Sequence, residues 1–302
     1  MTLHDDPKQP SWRVLCLGLG YTAAALARRL APQGTHIAGT ARSAEGTERI
    51  AKNGWQDFVF DGPDVSPGLA REMSEATHIL VSAAPDEAGD PVLRHLGSCL
   101  EGATKLRWIG YLSTVSVYGD HGGAWVDETT APRDPGRRGL MRIEAENEWL
   151  AFGKAHTPRV DVFRLPGIYG PGRGAVHQLR SSTARRIAKP GQVFNRVHVD
   201  DIAAALEAAM TAPSAHNVYN ITDDEPAPAD EVVAYAATLL GLEPPPLVRL
   251  EDANFSPIAR SFYDQTKRVS NKRMKESLGV KLAYPTYREG MAATVASSPT
   301  QA

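Results

Sequence analysis

Three small residues near the start of the chain have the spacing of a phosphate-binding turn. Gly18, Gly20 and Ala23 fit the pattern GxGxxA and follow the short apolar run WRVLCLG. The first glycine permits a tight turn, the second lets the backbone approach a pyrophosphate, and the small third residue lets a helix pack closely on a strand. The phosphate would meet the first helical residues, Tyr21, Thr22 and Ala23, where free N–H groups and the helix dipole favour an anion. The spacing therefore predicts a dinucleotide site, with a plain strand-to-helix turn as the structural alternative.

The residues after the next apolar run indicate which dinucleotide is bound. An NAD site usually carries Asp or Glu about 20 residues past the glycines, whereas an NADP site accommodates the 2′-phosphate with Arg. This chain has Thr40, Arg42 and Ser43 there and no carboxylate. A guanidinium flanked by two hydroxyls suits a phosphate. We therefore predict NADP, with NAD still possible, and a solvated loop arginine is the alternative interpretation of Arg42.

Apolar runs alternate with helical segments over the first half of the chain. After THIAGTA at 35–41, further strand candidates are QDFVF, HILVSAA, LRWIGYLST and RVDVFRL. Such near-continuous apolar strands are typical of a parallel sheet covered on both faces. The pattern predicts an α/β fold with a doubly wound parallel sheet, the Rossmann fold. We expect a dinucleotide-binding domain over residues 1–165, with returning segments at about 195–222, and a smaller C-terminal α/β substrate-binding lobe over 166–302.

Composition excludes several other classes of protein. The 302 residues carry a formal net charge of −2, which gives no basic field for nucleic acid. The only cysteines, Cys16 and Cys99, have no CxxC spacing, so neither a disulfide framework nor a zinc site is indicated. No apolar run is long enough to span a membrane, and the polar start is unlike a signal peptide. We expect a cytoplasmic protein.

Several longer segments, in order, resemble the extended short-chain dehydrogenase/reductase family, which includes the NAD-dependent epimerases and dehydratases. The segments that carry the resemblance are LSTVSVYGD at 112–120, IEAENEWL at 143–150, RLPGIYGPGR at 164–173, VHVDDIAAAL at 197–206 and the ending SNKRMKESLGVKLAYPTYREGM. The resemblance spans nearly the whole chain. Together with the glycine turn, it implies the family's fold and a nicotinamide cofactor.

The resemblance also assigns roles to individual residues. It implies that Asp61 lies beside the adenine and that Thr114 hydrogen-bonds the reacting oxygen. Further residues that it places next to the cofactor are Ser82, Ala83, Ala84 and Pro166. Because helices of this family often pair, it further implies a possible homodimer.

The chain departs from the family where the chemistry is done. The family uses a Tyr with a Lys four residues later on one helix face. Anchored on IEAE, these two positions fall on Arg138 and Arg142. Arg142 can still donate to a ribose hydroxyl, but an arginine stays protonated and cannot shuttle a proton near neutral pH.

Other residues could replace the missing acid–base pair. Tyr118 and His121 follow the Thr114 segment closely, although each is more often structural. The literal YxxxK of Tyr263 and Lys267 lies in a weakly patterned region, and we interpret it as a chance match. His198-Val-Asp200-Asp201 is better explained as a helix cap formed by Asp than as a metal site, so no metal is predicted.

Two functions remain open from the sequence. The first is an NAD(P)-binding oxidoreductase or epimerase/dehydratase-like enzyme with an atypical active site, acting on a small polar, possibly sugar-like substrate. The second is a non-catalytic NADP(H)-binding sensor or regulatory protein that has lost the Tyr/Lys pair. Thr114 favours the enzyme, whereas Arg138 and Arg142 favour the binding protein.

Overall fold

The computed structural model describes residues 12–213, 216–255 and 260–297. The polar start of the chain, on which the expectation of no targeting segment depends, lies outside these ranges. None of the helices in the described ranges combines the length and hydropathy that crossing a membrane requires. The strands are β1 (Arg13–Leu17), β2 (His36–Ala41), β3 (Gln56–Val59), β4 (His78–Val81), β5 (Trp108–Thr114), β6 (Trp125–Val126), β7 (Arg159–Leu165), β8 (Gly167–Tyr169), β9 (Arg186–Ala188), β10 (Arg196–His198), β11 (Val218–Asn220), β12 (Leu247–Arg249) and β13 (Arg268–Val269).

Seven of these strands form one sheet in the order β11-β7-β5-β4-β1-β2-β3. Strand β1 pairs in parallel with β2 on one side and with β4 on the other, so the strand order reverses there. Such a reversal defines a doubly wound sheet, and its crevice lies outside the carboxyl ends of the strands. The predicted Rossmann fold is confirmed, as are the six strands expected between residues 12 and 165.

The first compact unit contains residues 12–111 and 148–161. Its helices are α1 (Tyr21–Leu30), α2 (Ala44–Ala51), α3 (Pro67–Glu75) and α4 (Pro91–Glu101). Helices α3 and α4 both begin with a polar cap followed by proline, a combination that starts a helix without losing a needed donor. In α4, Asp90 Oδ1 accepts from the N–H groups of Val92 and Leu93 at 2.9 and 3.1 Å. These caps and prolines define where α3 and α4 begin between the buried strands.

The second compact unit contains residues 112–147 and 162–297. The helices that lie wholly or partly in it are α5 (Gly136–Ala155), α6 (Ala175–Arg180), α7 (Val199–Thr211), α8 (Ala229–Leu239), α9 (Lys272–Leu278) and α10 (Tyr287–Ser297). Apolar residues of α6, α8 and α10 share one buried cluster that includes Val176, Ala236 and Met291. The segment after residue 111 packs with the C-terminal part of the chain. The predicted boundary at 165/166 between a dinucleotide-binding domain and a substrate-binding lobe stays a prediction, since contacts alone define the compact units.

The hydrogen bonds of residues 119–126 show that packing. Strand β6 pairs in parallel with β13, and the N–H groups of His121 and Gly123 both donate to Thr266 O, at 3.1 and 3.0 Å. Lys267 is buried and its Nζ donates to Gly119 O at 2.6 Å. Removal from water lowers the pKa of Lys267 to about 8. The loop after β5 is therefore held by residues far away in the sequence.

One buried carboxyl group in the second unit is incompletely paired. Asp223 is 3% exposed. Its Oδ1 accepts from Glu225 N at 3.2 Å, whereas Oδ2 is buried without a hydrogen bond to the described residues. Burial, only partly offset by the positive charge of Arg196, raises the pKa of Asp223 to about 8. The folded protein therefore keeps a proton that the unfolded chain releases at lower pH.

This proton predicts a pH-dependent stability. Between about pH 4 and pH 8 the folded state binds the extra proton, so the free energy of unfolding falls as pH rises through this window. Asp223→Asn keeps the acceptor for Glu225 N and removes the titration. At about 1.4 kcal/mol per pKa unit, we expect the variant to gain roughly 3–5 kcal/mol relative to wild type between pH 4 and pH 9. Urea unfolding across this range measures the effect, and the exposed neighbour Asp224→Asn is the control. Parallel pH profiles for wild type and Asp223→Asn would contradict the assignment.

Candidate functional site

The glycine turn of the first unit is held by the neighbouring strands. Gly18 has φ +92°, and a Cβ placed there would lie 3.3 Å from Ala83 N. The N–H of Gly18 donates to Thr40 Oγ1 at 2.8 Å, and the N–H of Leu19 donates to Thr40 O at 2.8 Å. Thr40 is 2% exposed. Thr40 therefore supports the turn from β2, and the cofactor contact of its hydroxyl stays a prediction.

Gly20 lies at the start of α1 and leaves space around the backbone. A Cβ at Gly20 would meet no atom within 4 Å. Among the residues that the structure describes, no side chain caps α1, and the first turn of α1 has no acidic residue. Thr22 and Ala23 are buried. The start of α1 has the free space and the positive dipole end that a phosphate would need, and phosphate binding there stays a prediction.

The other predicted cofactor residues of this unit follow neighbouring parallel strands. Arg42 and Asp61 are exposed and follow β2 and β3. Ser43 Oγ accepts from Gly46 N at 3.3 Å and so caps α2. Ser82, Ala83 and Ala84 follow β4. Since β4, β1, β2 and β3 are adjacent and parallel, their carboxyl ends place all these residues at one edge of the sheet.

In the second unit, Thr114 ends β5 and begins a short 3₁₀ helix over Val115–Tyr118. Its Oγ1 accepts from Ser116 N at 3.2 Å and donates to Ser116 Oγ at 3.1 Å. The side chain is half-buried. Thr114 is therefore oriented by its own turn, as a residue that positions a substrate oxygen must be. Pro166, for which we predicted a cofactor contact, lies half-buried between β7 and β8.

Arg138 and Arg142 lie one turn apart on the same face of α5. Arg138 is exposed, and Arg142 is half-buried with Nη1 donating to Leu112 O of β5 at 3.0 Å. Between them, Gly139 lets α5 approach the 3₁₀ helix, because a Cβ there would lie 3.1 Å from Ser116 O. Helix α5 thus brings Arg142 to the carboxyl-terminal part of β5, near the segment that carries Thr114.

A buried ionic network next to these residues was missed by the sequence analysis. Glu146 accepts from Ser113 Oγ at 2.5 Å and from Arg164 Nη2 at 2.7 Å. Arg164 Nε also donates to both carboxylate oxygens of Glu146, at 3.1 and 3.2 Å. Glu144, two residues earlier, is exposed, as expected for helix positions i and i+2. Only the family motif IEAE could have indicated Glu146, since Ser113 and Arg164 are distant in sequence.

Tyr118 belongs to the same network. It is fully buried, and its hydroxyl donates to Asn220 Oδ1 at 2.8 Å and accepts from Arg164 Nη1 at 2.9 Å. Burial raises the pKa of Tyr118 to about 12 despite the adjacent Arg164 charge. These contacts give Tyr118 a structural role, and the catalytic role considered from the sequence stays a prediction. His121 is likewise engaged, with Nε2 at 3.0 Å from Tyr118 O.

The remaining motifs are structural. Lys267 of the literal YxxxK is bound to Gly119 O, and the ring of Tyr263 packs edge-on against Phe194 with centroids 5.2 Å apart. The expected cap of α7 is present but formed by His198, whose Nδ1 accepts from Asp200 N at 3.2 Å. We expected Asp in that role. Asp201 is instead buried and accepts from the N–H groups of the 283–284 loop, at 2.7 and 3.1 Å. No cluster of His, Cys, Asp or Glu in the described ranges could hold a metal ion.

Comparison with solved structures shows which proteins the chain is similar to. The chain is 49% identical to a conserved protein of unknown function from Silicibacter pomeroyi DSS, with 96% of this chain and 100% of the other covered and a TM-score of 0.87. A protein from Methylobacillus flagellatus, provisionally described as an NAD-dependent epimerase/dehydratase, is 28% identical, with coverage of 95% and 99% and a TM-score of 0.72. The UDP-glucuronic acid 4-epimerase from Bacillus cereus in complex with UDP-glucuronic acid and NAD is 19% identical, with coverage of 93% and 97% and a TM-score of 0.73. At that identity it shows the shared fold alone.

Two further relatives match the chain over most of its length. The Escherichia coli K12 protein YeeZ is 27% identical over 284 residues, which are 90% of this chain and 96% of that protein. The 3-diazoavenalumate denitrifying reductase of a Streptomyces species is 28% identical over 244 residues, which are 76% of this chain and 73% of that protein. No family model matches the chain.

The fold and the glycine turn are those of a Rossmann-type NAD(P)-binding protein. Structural neighbours described as NAD-dependent epimerases or dehydratases share this fold with the chain, in agreement with the resemblance found in its sequence. The alignment on IEAE assigns Arg138 and Arg142 to the positions where that family has Tyr and Lys, and this assignment stays a prediction.

The two glycines of the turn predict different variant phenotypes. Gly20→Val should leave a folded protein, because a Cβ there meets nothing, but weaken dinucleotide binding roughly hundredfold or more by filling the phosphate space. Gly18→Val should lower stability, because φ is +92° and Ala83 N is close. Calorimetric titration with NADP⁺ and thermal unfolding separate the two effects. Gly97→Val on α4, also open to solvent at Cβ, is the control. Undiminished binding by Gly20→Val would place the dinucleotide elsewhere.

Proposed function

We propose that this protein is an NADP(H)-dependent oxidoreductase that acts on a small polar substrate. The observation that carries the proposal is the open backbone at Gly20, at the start of α1, in a turn that only glycine at position 18 can form. Arg42 supports NADP over NAD, because it follows β2 with no carboxylate beside it to accept from a ribose 2′-hydroxyl. The solved neighbour with NAD is too distant in sequence to decide between the two.

The residues of the first unit suit the successive parts of the dinucleotide. The start of α1 would hold the pyrophosphate, Arg42 the 2′-phosphate and Asp61 the adenine side. Ser82, Ala83 and Ala84 would border the cofactor after β4. When bound, the nicotinamide supplies or accepts a hydride, and the protein contributes binding and orientation.

The second unit suits a reduction that needs little proton transfer. Thr114 can hydrogen-bond a polar substrate atom, but Arg138 and Arg142 offer only N–H donors and lack the hydroxyl that the family's Tyr uses in proton transfer. A reduction in which a leaving group departs needs no proton donor for a carbonyl oxygen. The Streptomyces relative is named a denitrifying reductase, and the name of its substrate, 3-diazoavenalumate, denotes a carboxylate. This supports a reductase more than a sugar epimerase.

A second candidate function is favoured by the same two arginines. A protein that has lost the Tyr/Lys pair could bind NADP(H) and report its redox state without turnover. The rates of the wild-type protein and of a variant with the pair restored distinguish the two functions.

The cellular compartment and the partners of the protein are also proposals. Cys16 is buried and Cys99 is half-buried, and both are free thiols. Free thiols are compatible with the reducing cytoplasm that we expected. Our proposal includes a small-molecule substrate, no nucleic acid or membrane partner and, by the family resemblance, a homodimer.

The cofactor assignment predicts a preference. NADP(H) should bind more tightly than NAD(H) by about 1.5–3 kcal/mol, the contribution expected of a charge-assisted contact. Arg42→Ala should abolish this difference, whereas Arg49→Ala, which removes an exposed charge from α2, should preserve it. Calorimetric titrations with the four dinucleotide forms measure the preference. Equal affinities for NADP(H) and NAD(H) in wild type would refute the role of Arg42.

The replaced pair predicts a gain of activity. Wild type should reduce neutral aldehydes and ketones slowly, because general acid–base help worth about 10²- to 10⁴-fold is missing. Arg138→Tyr combined with Arg142→Lys should raise this rate, and adding Thr114→Ala should lower it again. NADPH oxidation over a panel of neutral carbonyl compounds is the assay. If wild type is fast and the double variant slow, the arginines take part in this reaction directly.

A further inference from the structure

The N-terminal half of α5 has an unusual charge distribution. Arg137, Arg138 and Arg142 lie in its first two turns, and the first turn has no acidic residue. Cations near a helix N-terminus oppose the positive end of the helix dipole. The nearest buried carboxylate on the helix, Glu146, is already bound to Arg164 and Ser113.

Two of the three arginines share a face that leads to the candidate catalytic segment. Arg142 contacts the carboxyl-terminal part of β5 through Leu112 O, two residues before Thr114. Arg138, one turn earlier, is exposed and makes no ion pair with the residues that the structure describes. Side chains at i and i+4 on a helix are neighbours, so both guanidinium groups can reach one ligand. Gly139 brings this part of the helix close to the 3₁₀ helix that Thr114 caps.

We propose that Arg138 and Arg142 form a binding site for a carboxylate of the substrate. The inference rests on the proposed function, and it explains the two arginines as substrate-binding residues that replaced the Tyr/Lys pair. A guanidinium presents paired donors that match the two oxygens of a carboxylate. Thr114, at the end of β5, would then contact a polar group elsewhere on the same substrate.

The test compares acids with their neutral esters. Pyruvate and phenylglyoxylate, each paired with its methyl ester, are titrated calorimetrically into the full-length protein with and without saturating NADP⁺. The variants are Arg138→Gln and Arg142→Gln, with Arg142→Lys as the charge-conserving change. Arg137→Gln is the control, because it removes the same charge from the adjacent position of the same helix. Circular dichroism and thermal unfolding confirm that each variant is folded.

We expect each acid to bind wild type at least tenfold more tightly than its ester. Arg138→Gln and Arg142→Gln should each weaken acid binding about 10- to 100-fold, as expected for loss of a charge-assisted contact, and leave ester binding unchanged. Arg142→Lys should recover part of the loss, and Arg137→Gln should behave as wild type.

Several results would overturn the inference. Acids that bind no better than esters, or wild-type affinity in Arg138→Gln and Arg142→Gln, would exclude a carboxylate site. An equal loss of acid affinity in Arg137→Gln would show that the effect comes from the general positive charge of this surface and not from a specific site. If inorganic phosphate binds more tightly than the acids, with the same dependence on the arginines, the site recognises a phosphate and the carboxylate proposal is wrong. Arginine-dependent binding of acids without any dinucleotide binding would refute the proposed function and leave the anion site standing.

Discussion

The second unit depends on one buried carboxylate, that of Glu146. It is 3% exposed and receives hydrogen bonds from Ser113 at the end of β5 and from Arg164 in β7. Removal of one partner from such a buried pair leaves an uncompensated charge and typically costs about 3–5 kcal/mol. The pair therefore fixes the rotation of α5 about its own axis. With that rotation set, Arg142 meets Leu112 O and Gly139 faces the 3₁₀ helix.

Much of the fold was predictable because its signals are local. Fully buried parallel strands have continuous apolar sequences, and the turn after β1 requires glycine at one defined position. The roles of Thr40 and Tyr118 were not predictable in the same way. Each is set by a partner far along the chain, Gly18 in one case and Asn220 in the other. Residue type suggested a ligand contact for the first and proton transfer for the second, but it could not indicate the tertiary hydrogen bonds by which both support the fold.

The two compact units depend on contacts that a sequence pattern does not show. The predicted domain boundary follows the change of pattern after β7, and it stays a prediction. The contacts of the chain change after residue 111, and the segment that follows pairs with residues 265–270. The sequence places Arg138 and Arg142 correctly on one helix face. Their proximity to the Thr114 segment follows only from the close approach at Gly139.

The pairing of β6 with β13 has a consequence for the order of folding during synthesis. The first unit receives all its strands and helices from β1 to α4 in one continuous stretch, so most of its sheet can form while the ribosome is still translating the rest. The loop that carries Thr114, in contrast, waits for residues 265–270, some 150 positions later. A nascent chain stalled before that point would already present the glycine turn. It would lack the contacts that hold the segment after β5. The glycine turn should therefore form earlier in biosynthesis than the geometry around Thr114.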